Sequence, residues 1–220
     1  MIQIILGAFA AAPPVPGGNG LRGPRPSRII GACAGRCPPP GIPPKAIRRA
    51  GESALKERCA DLVIRGLKEA GVSVVCALPE SHLKPVYVKA SRDPAFRYIP
   101  VTNEGEGTSI AAGVWLTGKK AVMIMENSGL RMATESLARL GLTHGIPVVL
   151  LMSYRGDLGE PNWWGIPHGI TMEPLLSALR IPYVVVRKEE DIVPSIVKAR
   201  RSADTSKYHT AVVFSGEVIE

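Results

Sequence analysis

At 220 residues the chain can hold one sizeable domain with a full core, together with a tail. Its net charge of +8 would suit nucleic acid, but seven of the 27 basic residues (Arg22, Arg25, Arg28, Arg36, Lys45, Arg48 and Arg49) precede the first acid, Glu52, leaving 20 basic against 19 acidic residues. A near-neutral remainder has no basic, aromatic-interleaved face for nucleic acid, and no apolar run reaches the roughly 20 residues of a membrane span, so neither partner is expected.

Residues 1–46 contain half of the 20 prolines, many glycines and no sustained helical or strand period. Such a segment cannot bury enough apolar surface to offset its ordering entropy, so it is expected to be a disordered extension, with the folded domain over 47–220. Its apolar start lacks the charged leading region of a targeting signal. Of the four cysteines, Cys33 and Cys37 fall in this extension, Cys59 on a helix and Cys76 on a strand. One spaced pair without a second is only half a metal site, so the reading is reduced thiols in a cytoplasmic protein, with no metal ligands.

From residue 53 a regular alternation sets in. The spacing predicts a helix over 53–70 ended by Gly71, a strand over 72–78, a short helix over 82–93 and a strand over 97–102. A helix over 104–117 follows, then a strand over 119–125, a helix over 130–140 and a strand over 147–153. After a loop over 154–169 come a helix over 172–180, a strand over 183–187, a helix over 191–202 and a strand over 209–215. Continuous Val/Ile/Leu/Met strands alternating with amphipathic helices mean a parallel sheet covered on both faces. The expected fold is a doubly wound α/β domain of about six strands, whose ligands would bind at the carboxyl ends of the strands.

Three strand ends are chemically unusual: Leu78-Pro-Glu-Ser-His82, Thr102-Asn-Glu-Gly-Glu-Gly107 and Met125-Glu-Asn-Ser-Gly129. Plain turns need turn formers, but not carboxylates three times over. Glu104 sits where an apolar strand hands over to a helix with a small, apolar next turn (Ser109 to Gly113), so its carboxyl is expected to be partly desolvated and raised in pKa. The bland alternative is that Asn103 and Glu104 only cap the helix. Gly105 and Gly107 weigh against it, because glycines inside a helix cost about 1 kcal/mol each and serve close backbone approach. A dinucleotide loop is disfavoured by Ile110 where a third glycine belongs.

At this point the residues resemble a family. The stretch Asn103-Glu-Gly-Glu-Gly-Thr-Ser-Ile-Ala-Ala-Gly113 resembles the glutamate helix in the pyrimidine-binding domain of thiamine-diphosphate enzymes. Leu78-Pro-Glu-Ser-x-Leu83, Asn103-Glu-Gly, Glu126-Asn-Ser-Gly-Leu130 and Ile170-Thr-x-x-x-Leu-Leu176, in this order, are similar to sulfopyruvate decarboxylase alpha subunits and phosphonopyruvate decarboxylases. The likeness runs over residues 53 to 216. It implies that Glu104 hydrogen-bonds a ring nitrogen of the cofactor's aminopyrimidine and so activates the thiazolium, which carries the decarboxylation. It further implies that Pro79, Asn127, Ser128 and Gly129 line the cofactor and that Glu80, Ser81 and His82 face substrate. Glu106, Glu126, His168 and the pair Trp163-Trp164 stay open between site and surface roles, as do Lys84, Arg131 and Arg155 as partners for an anionic substrate.

The diphosphate-binding signature of that family, Gly-Asp-Gly followed by a distant Asn that together hold Mg2+, has only Gly156-Asp-Leu158 as a counterpart, and Asn162 is the last asparagine. The resemblance therefore implies a beta-type subunit that supplies the diphosphate and Mg2+ site, a hetero-oligomer, and a small anionic 2-oxo acid as substrate, as in coenzyme M biosynthesis. A carboligase of the acetolactate-synthase type and a non-catalytic α/β regulatory subunit are the alternatives.

Overall fold

In the computed structural model, residues 57 to 219 are described. The extension over 1–46, its boundary at 47 and the cysteines Cys33 and Cys37 lie outside them.

The element order is α1 (Glu57–Glu69), β1 (Val74–Ala77), α2 (Lys84–Arg92), β2 (Arg97–Pro100), α3 (Glu104–Leu116), β3 (Ala121–Glu126), α4 (Leu130–Leu137), β4 (Val149–Ser153), α5 (Ile166–Ala178), β5 (Tyr183–Val186), α6 (Ile192–Ser206), β6 (Thr210–Phe214) and α7 (Gly216–Ile219). The six strands form one sheet in the order β2-β1-β3-β4-β6-β5, and every pairing is parallel. The doubly wound α/β expectation is met.

Strand periodicity divides the core into two layers, because successive side chains point to opposite faces. Val75, Ala77, Val122, Ile124, Leu151, Val212 and Phe214 pack with α1, α2 and α6. Cys76, Met123, Met125, Leu150, Met152 and Val213 pack with α3, α4 and α5. Cys59 and Cys76 are buried in the core, one in each layer.

Among the differences from the sequence expectation, α6 runs on to Ser206, α7 follows β6, and two others concern α5 and α4. Helix α5 begins at Ile166, so His168 lies in a first helical turn rather than in a loop. Pro167 explains the early start, since its fixed φ and missing N–H suit that position. Helix α4 continues as a π-helical segment, Ala138–Thr143, instead of ending at residue 140.

The sheet order places the site. From β1 the chain moves outward to β2, then returns past β1 to β3, so the loops after β1 and β3 leave toward opposite faces, the first into α2 and the second into α4. The carboxyl ends of β1 and β3 are therefore the switch point of the sheet, where ligands bind in sheets of this type.

Candidate active site

The loop after β1 carries Glu80 as the acceptor of its own turn. Its carboxylate receives the backbone N–H of His82 at 2.6 Å and that of Leu83 at 2.7 Å, and lies 3.0 Å from His82 Nδ1. This capping starts α2, whose first turn also holds Pro85. Pro79 is exposed, while Ser81 and His82 are half-buried. Beneath the loop Tyr87 is buried against the backbone of Glu80. Burial first, then the charge of Glu80, pushes its pKa far up, so it stays a neutral phenol.

The loop after β3 begins with Glu126, which accepts the Ser128 hydroxyl at 2.6 Å. Glu80, His82 and Glu126 bring one ligand atom each to within 4.8 Å of one another. The sequence expectation names no metal ligand there, and both Glu80 oxygens are already engaged by backbone amides.

Asn127 is 1% exposed, and both ends of its amide are used. Nδ2 donates to the Arg155 carbonyl at 2.8 Å, and Oδ1 accepts the Arg155 N–H at 3.1 Å. Its action on the site is thus to clamp the loop after β4 to the loop after β3.

Glu104 opens α3 and is only 8% exposed. Asn103 is the N-cap, and its side chain accepts the Glu106 N–H at 2.9 Å. Glu106 returns to the Thr102 N–H and hydroxyl, at 2.7 and 2.8 Å, completing a reciprocal cap. Those two residues do the capping, which leaves the Glu104 carboxylate buried without a hydrogen-bond partner among the described residues.

The glycines have distinct causes. A Cβ on Gly129 would run into the Glu104 carboxyl itself, so this residue must be glycine for the carboxyl to lie where it does. A Cβ on Gly107 would meet the Met123 side chain, so that glycine brings α3 close to β3 instead of opening space for a ligand. The close backbone approach expected at Gly107 is thus made by the core side chain of Met123.

The three candidate cations have different fates. Lys84 lines a groove between α1 and α2, with Glu57 and Asp61. Arg155 forms a forked pair with Glu160 at 2.8 and 2.7 Å, the two side chains being 11% and 5% exposed. That pair, with the Gly156 and Asn162 amides, holds the Glu160 carboxyl down at about 2. Arg131, on α4, donates to His168 Nδ1 at 2.8 Å. His168 Nε2 in turn lies 3.7 Å from Glu126 Oε1. This link between Arg131, His168 and the β3 loop was not legible in sequence, because 36 residues separate its two partners.

Trp163 and Trp164 stand edge to face with ring centroids 6.0 Å apart and are 81% and 52% exposed. Asp157, in the partial counterpart of the diphosphate signature, is paired with Arg187 at 2.9 Å.

Comparison with known proteins follows this geometry. Residues 57–157 match the thiamine pyrophosphate enzyme, N-terminal TPP binding domain. A sulfopyruvate decarboxylase subunit alpha of Methanothermobacter thermautotrophicus is 33% identical over 142 residues, covering 64% of this chain and 86% of that protein. One from Methanocaldococcus jannaschii is 32% identical, covering 69% and 90%. A phosphonopyruvate decarboxylase of Streptomyces viridochromogenes is 44% identical, over 47% of this chain and 26% of its own length. The fold is shared with 2-oxoglutarate:ferredoxin oxidoreductase from Magnetococcus marinus, at a TM-score of 0.57 and 16% identity, over 73% of this chain and 29% of that one. The chain belongs to the sulfopyruvate decarboxylase alpha-subunit family of thiamine pyrophosphate enzymes.

Proposed function

We propose that this chain is the alpha-type subunit of a thiamine-diphosphate-dependent decarboxylase acting on a short anionic 2-oxo acid of the sulfopyruvate or phosphonopyruvate kind. Glu104 is the group that activates the cofactor. One observation carries the reading: a carboxylate on a residue only 8% exposed, at the ligand-binding edge of a parallel sheet, with no hydrogen-bond partner among the described residues. Burying such a group is unfavourable unless something pairs with it. A protonatable ring nitrogen is a fitting partner, and Gly129 leaves the carboxyl room beside the β3 loop.

Thiamine diphosphate, when bound, supplies the electron sink that a 2-oxo acid needs to lose carbon dioxide. The residues of this chain orient and tune it. Glu104 holds a proton against the pyrimidine ring. Ser128 and Gly129, with Pro79 from the loop after β1, line the same edge, and Asn127 contributes by fixing the two loops to each other. Glu80, Ser81 and His82 border the substrate side, where Glu80 shapes the turn that presents His82.

A beta-type subunit would complete the diphosphate and Mg2+ site. The two faces of the sheet support a covered surface on this chain. Helix α1 presents Glu57, Arg58, Arg65, Lys68 and Glu69 to solvent, as a surface helix should. By contrast, α3 exposes Leu116 at 65%, α4 Met132 at 65% and α5 Ile170 at 67%. Large apolar side chains exposed together on one face mark an interaction surface.

The test is co-expression with a chain bearing Gly-Asp-Gly and its distant Asn, then carbon dioxide release from sulfopyruvate, phosphonopyruvate and pyruvate with thiamine diphosphate and Mg2+. Activity that collapses in Glu104→Gln supports the proposal. A cofactor-loaded complex in which wild type and Glu104→Gln are equally inactive on all three acids overturns it.

A further inference from the structure

We propose that Arg131 is a positioning residue that locks His168 in its Nε2–H tautomer, so that helix α5 presents a neutral hydrogen-bond donor to an anionic oxygen of the substrate; the substrate half of this statement rests on the decarboxylase reading above.

Valence fixes the tautomer. A guanidinium has donors and no acceptor. Arg131 Nη2 lies 2.8 Å from His168 Nδ1, so Nδ1 must offer its lone pair and the ring proton must sit on Nε2. Protonating Nδ1 would set two donors head to head. The neutral ring is favoured further by its surroundings: burial lowers the His168 pKa most, Arg131 and Arg155 lower it, and Glu126 and Glu160 oppose them. These groups come from β3, α4 and the loop after β4.

Arg131 and the start of α5 are themselves anchored. Arg131 Nη1 lies 3.4 Å from Thr171 Oγ1 and 3.5 Å from the Pro167 carbonyl, both on α5. A side chain on Gly169 would strike the Gly156 carbonyl, so the start of α5 sits directly on the backbone of the loop after β4. The ring is therefore fixed in place and in tautomer.

The free end of the ring matters most. Nε2 is 3.7 Å from Glu126 Oε1, beyond hydrogen-bond range, so its N–H has no hydrogen-bond partner among the described residues. It points at the loop that also carries Ser128 and Gly129, and Gly129 touches Glu104. Lys84 faces another groove and Arg155 spends its hydrogen bonds on Glu160, whereas Arg131 donates to the imidazole itself and so backs its Nε2–H. A donor backed by a cation suits an anionic oxygen better than a neutral one.

The first experiment uses the full chain with 15N-labelled histidine and long-range proton–nitrogen NMR. The sequence has four histidines, and the signal lost in His168→Leu assigns the one of interest. Expected at pH 7.5 is a neutral His168 carrying its proton on Nε2, which relaxes to a tautomer mixture with a higher pKa in Arg131→Leu. An Nδ1–H or charged His168 in the wild type, or a spectrum unchanged in Arg131→Leu, overturns the lock. This readout needs neither partner nor turnover, so it stands apart from the decarboxylase reading. In the two-subunit complex, His168→Leu should raise KM for sulfopyruvate by about 10- to 100-fold, the worth of one hydrogen bond to a charged group. His168→Gln, whose amide nitrogen reproduces the Nε2 donor, should recover most of that loss, and Arg131→Leu should fall between. An unchanged KM in His168→Leu, in a complex that Glu104→Gln inactivates, overturns the substrate role while leaving the decarboxylase intact.

Discussion

Glu104 and Glu160 are both nearly buried carboxylates, yet their surroundings assign them opposite purposes. Glu160 accepts two donors from Arg155 and the amides of Gly156 and Asn162, so it is a structural anion. Glu160→Gln should destabilise the fold by about 3 kcal/mol, because it leaves the Arg155 charge buried without compensation, as urea denaturation would register. The pair also sets a pH dependence. A carboxyl held at about 2, against an ordinary 4.5, favours the folded state fully above 4.5 and loses that contribution as pH falls toward 2. Glu104 has no such partners, so Glu104→Gln should leave the chain as stable as before or up to about 1 kcal/mol more stable, since a buried carboxylate without a partner is unfavourable. Thermal unfolding of the two variants side by side checks both outcomes; a Glu104 variant that loses as much as the Glu160 variant would assign Glu104 a structural role.

At the scale of elements, His209 ties the π-helical extension of α4 to the sheet. Its Nδ1 accepts the Val148 N–H at 2.9 Å and its Nε2 lies 2.9 Å from the Leu137 carbonyl, so the ring bridges as a neutral imidazole. Burial lowers its pKa below 6.5, so the unfolded chain binds the proton more readily. The resulting stability is complete above 6.5 and declines as pH falls through the folded value. Unfolding midpoints at pH 7.5 and 5 should therefore separate more in the wild type than in His209→Gln. A second prediction concerns the end of α5. Arg180 adopts φ 54, a left-handed conformation that a side chain resists. Its side chain is exposed, so Arg180→Gly should stabilise the fold by about 1 kcal/mol, measurable as a shift in denaturant midpoint at constant m-value.

At the scale of the whole molecule, the two helical layers differ in the apolar surface they expose. Among the described residues, the layer of α1, α2 and α6 exposes Val88 at 38%, whereas that of α3, α4 and α5 exposes Leu116 and Met132 at 65% and Ile170 at 67%. Leu116→Asp combined with Met132→Asp should abolish co-elution with the beta-type subunit on size exclusion, while the circular dichroism of the isolated chain stays unchanged. Retained co-elution would place the interface on another surface.

Much of this was legible in the sequence because it depends on period and order alone. Runs such as Ala121 to Glu126 declare a buried strand through their composition, and the βα alternation makes the sheet parallel, since a chain that crosses over through a helix returns in the same direction. Glu104 was legible too, as a carboxylate at a strand end followed by glycines. Contacts between segments distant in the chain were not. That Gly107 packs on Met123, that Asn127 spends its amide on Arg155, and that Arg131 reaches His168 are decided by which loops the sheet order sets side by side. Local sequence determines which side chains arrive at the edge of the sheet; the partners they find there, and therefore which charges are spent and which remain available for chemistry, are fixed only when the strands pack.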